Sequence, residues 1–354
     1  MYTLSIERYK KMEEMLMMKV SVTTNKFHLE ERDLQQLCQL GVDCIDFGNG
    51  SDFPGVKEQG FPDLDEIIKK KKEIRSWGMD INRVTLPNIT QKYMKKEEES
   101  EKELENSLNS VKVFSEAGIN LVRQRFEGDT FQNKTEDYKA IQRGGALARG
   151  ESLGLNKKKF TSPSKEELDS WWSRFQDAYR KLVPLTQDLG VKLAMHPSDT
   201  PNHDTPFGGL GFHRIIDDFP NSNVGYVYCV GTRAEEGGSS LVLDEINHYG
   251  RKGRIFLVHF RNVRGSLPTA GAFEEALLDD GDMNMFKILW ELKKVGYEGC
   301  INPDHVPSLL GDNPDLNKSW ANSNIGWSYG SMGFAHSIGY IKALLAALAE
   351  FEGK

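Results

Sequence analysis

IFLVHFRNVRGSLPTAGAFEEALLDDGDMNM, residues Ile255 to Met285, is the stretch whose reading decides the fold. It opens with four apolar residues in a row, Ile255, Phe256, Leu257 and Val258. An unbroken run of that kind suits a strand covered on both faces, as in a parallel sheet. Its character then changes within one residue. His259, Arg261 and Asn262 are polar where the strand should end, and alternation puts His259 and Arg261 on one face. A loop, an acidic turn (Asp279-Asp280-Gly281-Asp282) and a helix follow. Strands that become chemically busy at their C-terminal ends are how α/β barrels carry active sites.

Working outward, the same strand-then-helix unit recurs. Lys19–Thr24, Val42–Gly48, Met79–Leu86 and Ile119–Phe126 read as the first four strands. Amphipathic helices separate them over Leu29–Leu40, Leu64–Trp77 and about Lys95–Ala117, and each is followed by a glycine at the C-terminal position (Gly41, Gly78, Gly118). Val191–His196, Val224–Cys229, Arg254–His259 and Cys300–His305 supply strands five to eight. Helices are expected over Trp171–Leu189 behind a Ser164–Glu167 capping box, and over Phe212–Phe219, Leu241–Tyr249, Met285–Val295 and about Ile338–Phe351. Eight strands each followed by a helix predict a (β/α)8 TIM barrel over residues 19–354, preceded by a lead-in helix over residues 1–18. An open doubly wound sheet often carries a Gly-rich phosphate loop after an early strand, and none occurs here. Glu127–Pro163 breaks the rhythm. It is expected to be a long loop on the catalytic face that covers the substrate.

Composition narrows the function. At 354 residues with 38% hydrophobic and 27% charged residues, the chain has enough apolar material for a full core. A net charge of −7 argues against nucleic-acid or anionic-membrane partners. The four cysteines contain no CxxC pair, which points to a reducing, cytoplasmic setting. No apolar run reads as long enough to cross a bilayer. Self-association into a homo-oligomer stays open.

The last residues of strands five to eight carry the chemistry. They are His196, Cys229, His259 and Asp304, two imidazoles, a thiol and a carboxylate on successive strands. In a closed barrel these ends converge on the axis, and the set suits a first-row divalent metal such as Zn, Fe, Mn or Ni. Any one of them alone could be packing or a turn residue. Their joint placement favours a metal centre with positions open to substrate.

The motifs AMHPSDTP (Ala194–Pro201), YCVGTRAE (Tyr228–Glu235), HFRNV (His259–Val263), FEEALLDDGDMNM (Phe273–Met285) and PDH (Pro303–His305) resemble those of the mannonate dehydratase family in sequence, order and spacing. The likeness covers roughly Met79 to the C-terminus. It implies a xylose-isomerase-like barrel, dependence on Mn(II) or Fe(II), and conversion of D-mannonate to 2-keto-3-deoxy-D-gluconate and water within hexuronate catabolism. It also implies His196, Cys229, His259 and Asp304 as ligands, with His305 and a later tyrosine, here Tyr329, handling protons. The departures lie where substrate would bind. The first strand is KVSVTTN in place of a segment near FRWYG, the fourth ends in RQRFEG in place of Asn-Phe-Met-Pro, and Val306 replaces the glycine after PDH.

Arg261, assisted by Asn262, and Arg123 with Arg125 are candidate holders of the substrate carboxylate, because guanidinium groups grip carboxylates with two parallel bonds. His305 reads equally well as an acid–base group or as support for Asp304. Tyr329 reads as its proton-handling partner or as a packing residue. A metal-dependent sugar isomerase or epimerase on the same barrel is the alternative function, and a non-catalytic carbohydrate-binding barrel is a third.

Overall fold

The computed structural model describes residues 18–129, 131–201, 204–312 and 330–351. Eight parallel strands close into a barrel: β1 (Lys19–Thr24), β2 (Cys44–Phe47), β3 (Asp80–Thr85), β4 (Leu121–Arg123), β7 (Lys192–Met195), β8 (Val224–Cys229), β9 (Ile255–His259) and β12 (Cys300–Asn302). Each strand neighbours the next in this order, and β12 closes onto β1 through Lys19↔Cys300 and Val20↔Ile301. The TIM barrel is therefore as expected. Among the described residues eight longer helices surround it: α1 (Glu31–Gln39), α2 (Leu64–Ser76), α3 (Glu101–Glu116), α4 (Lys165–Asp188), α5 (Gly209–Asp218), α6 (Val230–Arg251), α7 (Met285–Lys294) and α8 (Ser331–Phe351). The expected lead-in helix lies almost wholly outside the described residues.

Local chemistry explains the boundaries. The α4 capping box is present in both directions: Glu167 N donates to Ser164 Oγ at 3.2 Å, and Ser164 N donates to Glu167 Oε2 at 2.7 Å. Gly190 then takes φ +65° just beyond the helix, a conformation that costs other residues more.

Alternation splits the strand residues between two environments. Outward-facing Val20, Val22, Ile45, Val84, Val122, Leu193, Met195 and Ile301 join the helix faces in one large core. Inside the barrel, Cys44, Leu121, Ala194, Val227, Phe256, Leu257 and Cys300 form a separate apolar cluster across the N-terminal end. Burying a Leu, Val or Phe side chain is worth ~1.5–3 kcal/mol, so both layers favour closure. Above the plug lies a polar layer. Asp46 Oδ2 accepts from Ser21 Oγ and Asn302 Nδ2, both at 2.6 Å, and its Oδ1 accepts from Asn82 Nδ2 at 2.7 Å. The β2–β3 register shifts between Ile45 and Asp46, and this irregularity sets Asp46 opposite Arg83.

Two expectations need correction. Glu127–Pro163 is not a structureless loop: it holds the hairpin β5 (Glu136–Ile141) and β6 (Leu147–Ser152). β6 pairs with β11 (Ala272–Ala276), which pairs with β10 (Asn262–Arg264), giving a second, four-stranded antiparallel sheet. The hairpin escapes a periodicity search because β6 buries Arg149 and Glu151 among its inner residues, where an apolar pattern is sought. The second correction concerns α8, which by length and composition reaches the threshold for crossing a membrane. In the fold its Phe334, Ile338, Ile341, Leu345 and Leu348 pack into the main core, which accounts for part of its apolarity.

Candidate metal centre

His196 lies one residue beyond β7, Cys229 and His259 end β8 and β9, and Asp304 lies two residues beyond β12. The barrel brings these ends together. Ligand atoms of His196, Cys229 and His259 all lie within 4.8 Å of one another, and all three residues are buried. Asp304 joins them, with Oδ1 3.3 Å from His259 Nδ1 and Oδ2 3.8 Å from Cys229 Sγ. Asp304 has φ +54°, a left-handed backbone that turns its carboxylate back over the barrel; Asn302 Oδ1 secures the turn by accepting from Asp304 N at 2.9 Å.

The donor set fits a transition metal on its own chemistry. Two donors about 2.1–2.3 Å from one ion can stand no more than ~4.6 Å apart, close to the spread found here. His259 Nε2 is buried without a polar partner, an arrangement that proteins seldom tolerate, and Nδ1 meets only the Asp304 carboxylate at 3.3 Å. His196 Nδ1 lies 2.7 Å from Pro197 O, so it carries the proton and Nε2 is left as the donor. Burial, helped by Arg123 and His259, keeps the His196 pKa well below its ordinary value, so the ring is neutral, as a ligand must be. Cys229 caps α6, and its sulfur accepts from Thr232 N at 3.4 Å and Thr232 Oγ1 at 3.0 Å. Burial pushes the thiol up against the pull of Arg261, so a cation is needed to hold it as thiolate.

Around this centre runs a buried charge network that sequence reasoning largely missed. Arg261 Nη1 donates to Glu235 Oε1 at 2.5 Å, its Nη2 donates to Thr232 Oγ1 at 2.7 Å, and Nε lies 3.2 Å from Asp304 Oδ2. Arg149, from the hairpin, lies 3.2 Å from Glu151 and 3.0 Å from Glu275. His305 Nδ1 lies 2.5 Å from Glu275 Oε1, and its Nε2 is 3.8 Å from Asp304 Oδ2. Burial alone would lower the His305 pKa, but Asp304 and Glu275 outweigh it and hold it raised. Burial likewise opposes ionisation of Glu275, yet Arg149, His305 and Arg261 bring it down to about 2. For Asp304, His259, His305 and Arg261 overcome burial and hold the carboxyl well below the usual range. Glu235 goes the other way: burial, against Arg261 and Arg149, lifts it to about 7.

The expected substrate contacts are redistributed. Asn262 does not face the mouth. Its Nδ2 donates to Leu278 O and Met283 O, and its Oδ1 accepts from Val263 N and Met283 N, all at 3.0–3.1 Å. It fastens the acidic turn. Arg261 is 2% exposed and committed to Glu235, Thr232 and Asp304, so it orients Asp304 from within the protein. A Cβ on Gly231 would lie 2.4 Å from Arg261 Cγ, which explains why a glycine sits beneath that side chain. Arg123 and Arg125 stand at the end of β4, beside β7 and its His196, joined by Arg83 of β3. Tyr329 lies outside the described residues. Glu275, Glu235 and Arg83 could have been suspected only as charged residues beside the motifs. Nothing in a linear reading shows which charges become buried.

The family profile and the curated relatives point to one family, and the solved structures to the barrel fold. A family profile described as D-mannonate dehydratase (UxuA) matches residues 147–354, more than half of the chain. Mannonate dehydratase of Streptococcus suis (strain 05ZYH33) is 24% identical over 292 residues, covering 72% of this chain and 76% of that protein. Mannonate dehydratase 2 of Halalkalibacterium halodurans is 26% identical over 159 residues, and the chain spans only 44% of that relative's length. A crystal structure of mannonate dehydratase from Streptococcus suis serotype 2 superposes with a TM-score of 0.79 at 21% identity, over 95% of this chain and 96% of that one. A xylose isomerase-like TIM barrel protein from Mycobacterium smegmatis gives 0.56 at 14% identity, over 93% and 97% of the two chains. By the extent of the profile match, the chain belongs to the D-mannonate dehydratase (UxuA) family of hydro-lyases.

Proposed function

We propose that the protein dehydrates a sugar acid, with D-mannonate to 2-keto-3-deoxy-D-gluconate as the leading reaction, in cytoplasmic hexuronate catabolism. His196, Cys229, His259 and Asp304 would hold Mn(II) or Fe(II). The observation that carries this reading is the buried His259 ring, its Nε2 unpartnered and its Nδ1 facing Asp304, set among an imidazole, a thiol and a carboxylate. Mixed soft and hard donors suit those ions, and family membership supports the reaction class.

Dehydration removes the proton from C2 and the hydroxyl from C3, and the resulting enol rearranges to the 2-keto acid. The bound cation would supply Lewis acidity at the substrate's carboxylate and hydroxyl oxygens, where negative charge accumulates. The protein's own groups must move the protons. Glu275 holds His305 at Nδ1, which turns Nε2 towards Asp304 and the donor set. With its pKa raised, His305 is suited to give a proton to the departing hydroxyl. Tyr329 is the candidate for the complementary transfer. Arg123 would meet the substrate carboxylate: it lies close enough to His196 to depress that ring's pKa, and among the described residues it forms no ion pair, Asp199 and Asp129 acting on it only from a distance.

The test is anaerobic reconstitution with Mn(II) or Fe(II), followed by a panel of hexonates and detection of 2-keto-3-deoxy acid. Product from mannonate supports the reading. Aldose–ketose interconversion without dehydration would replace it with an isomerase. A protein that takes up no stoichiometric transition metal would end it.

A further inference from the structure

The arginines at the barrel mouth fall into two groups. Arg149 and Arg261 are each clamped by carboxylates. Arg83, Arg123 and Arg125 are not: among the described residues none of the three makes an ion pair. Arg83 is 1% exposed and reaches only hydroxyls, donating to Thr85 Oγ1 at 2.7 Å and Thr23 Oγ1 at 3.5 Å. The Nε atoms of Arg83 and Arg123 are buried without partners. Register fixes the grouping. Thr85 of β3 pairs with Arg123 of β4, and alternation puts Arg123 on the same inward face as Leu121 of the plug. Arg125 follows two residues on, with its side chain exposed at the mouth. Burial and then Arg125 bring Arg123 down to about 9, with Arg83 adding to the effect and Asp199 and Asp129 opposing it.

The acids nearby offset this wall only from a distance, without an ion pair to any of the three arginines. Asp46, opposite Arg83 in the register, acts on it through space but forms no ion pair, its oxygens being taken by Ser21, Asn82 and Asn302. Asp199, exposed at the mouth, forms no ion pair with the wall, although against burial Arg125 and Arg123 hold its carboxyl below the ordinary range, so it offsets part of the charge from a distance. Asp129 is half-buried beside the β4 end, and Asp304 belongs to the donor set across the barrel. Buried cations are ordinarily paired, and unpaired ones facing a binding cleft call for an anionic ligand. The single carboxylate of an aldonate, placed at the metal centre beside Arg123, leaves Arg83 and Arg125 without a direct ion-pair partner.

We propose that this wall reads a second anionic group, a terminal carboxylate or a phosphate ester, on the sugar acid, so that the preferred substrate is a dianion. The proposal rests on the sugar-acid reading and narrows it. The chemistry of elimination at C2 and C3 is unchanged, and the wall acts on binding and orientation.

The test uses the metal-loaded full chain and isothermal titration with three ligands of one stereochemistry: D-mannonate, its C6-oxidised dicarboxylate and its 6-phosphate ester. One charge-assisted contact is worth enough for a preference of about tenfold or more, and one dianion should bind tighter than mannonate by that factor. Which dianion wins separates carboxylate from phosphate. In Arg125→Gln, whose side chain is exposed and not needed for packing, the ratio should shrink to within about twofold. Equal binding of mannonate and both dianions, or a preference untouched in Arg125→Gln, overturns the proposal. Turnover is read in parallel. Dehydration of mannonate without a dianion preference sinks the proposal and leaves the dehydratase reading standing. A dianion preference without dehydration of any acid does the reverse.

Discussion

Arg149→Met is the perturbation that tests the architecture most directly, because Arg149 comes from the inserted hairpin and touches no candidate ligand. Its side chain is 9% exposed and lies between Glu151 at 3.2 Å and Glu275 at 3.0 Å, which are 3% and 1% exposed. Methionine keeps most of the volume and removes the charge. Glu151 retains the hydroxyls of Thr135 at 2.6 Å and Thr200 at 3.0 Å. Glu275 keeps His305 and a long 3.8 Å approach to Arg261. Removing one partner of a buried ion pair costs ~3–5 kcal/mol, and the lower end applies here because both acids keep partial support. The pH dependence follows. Glu275 titrates at about 2 when folded, below its ordinary 4.5, so its stabilisation is present above that ordinary value and is lost as pH falls towards 2. Without Arg149 the acid limb of the stability profile moves to higher pH. Since Glu275 orients His305, kcat should fall more than KM rises, while bound metal per chain stays at the parental level. Urea unfolding, metal analysis and steady-state kinetics measure each part. A variant within about 1 kcal/mol of the parent and with unchanged kcat would refute the reasoning that the hairpin positions His305.

Metal loading should raise the thermal midpoint. At a free ion concentration about 1,000 times Kd the native state gains ~4.1 kcal/mol. With 354 residues and ~2.1 cal/mol/K of unfolding entropy per residue, that corresponds to roughly 5–6 °C by scanning calorimetry, and His259→Ala should abolish it. Glu235→Gln probes the opposite kind of shift. Glu235 is raised from 4.5 to about 7 by burial, so the parent's stability is fully present below 4.5 and declines as pH rises through 7, by up to ~3 kcal/mol. The glutamine variant should show a flatter urea midpoint between pH 5 and 8, and an unchanged slope would count against a protonated Glu235.

The barrel was legible because its evidence is local and repeated. Apolar runs such as Ile255–Val258, and glycines ending helices as at Gly41 and Gly190, report on the few residues around them. The donor set was legible because strand ends in a closed barrel must converge, so position along four strands stood in for position in space. The network behind it was not. Glu275 and Arg149 meet only through the antiparallel pairing of β6 with β11, a contact between distant segments whose strands carry charge on the buried face. For the same reason Arg261 and Asn262 read as open groups. Sequence shows that a side chain can donate, and the fold decides which acceptors reach it first.

The apolar plug of Cys44, Leu121, Ala194, Val227, Phe256, Leu257 and Cys300 has a consequence for traffic. It seals the axis at the end away from the donor set, so nothing formed at the centre can drain through the floor. Any molecule released there departs by the doorway through which its precursor came, past the guanidinium side chains of β3 and β4. Entry and exit are then competing uses of one passage, and a slow-leaving anion would block its successor.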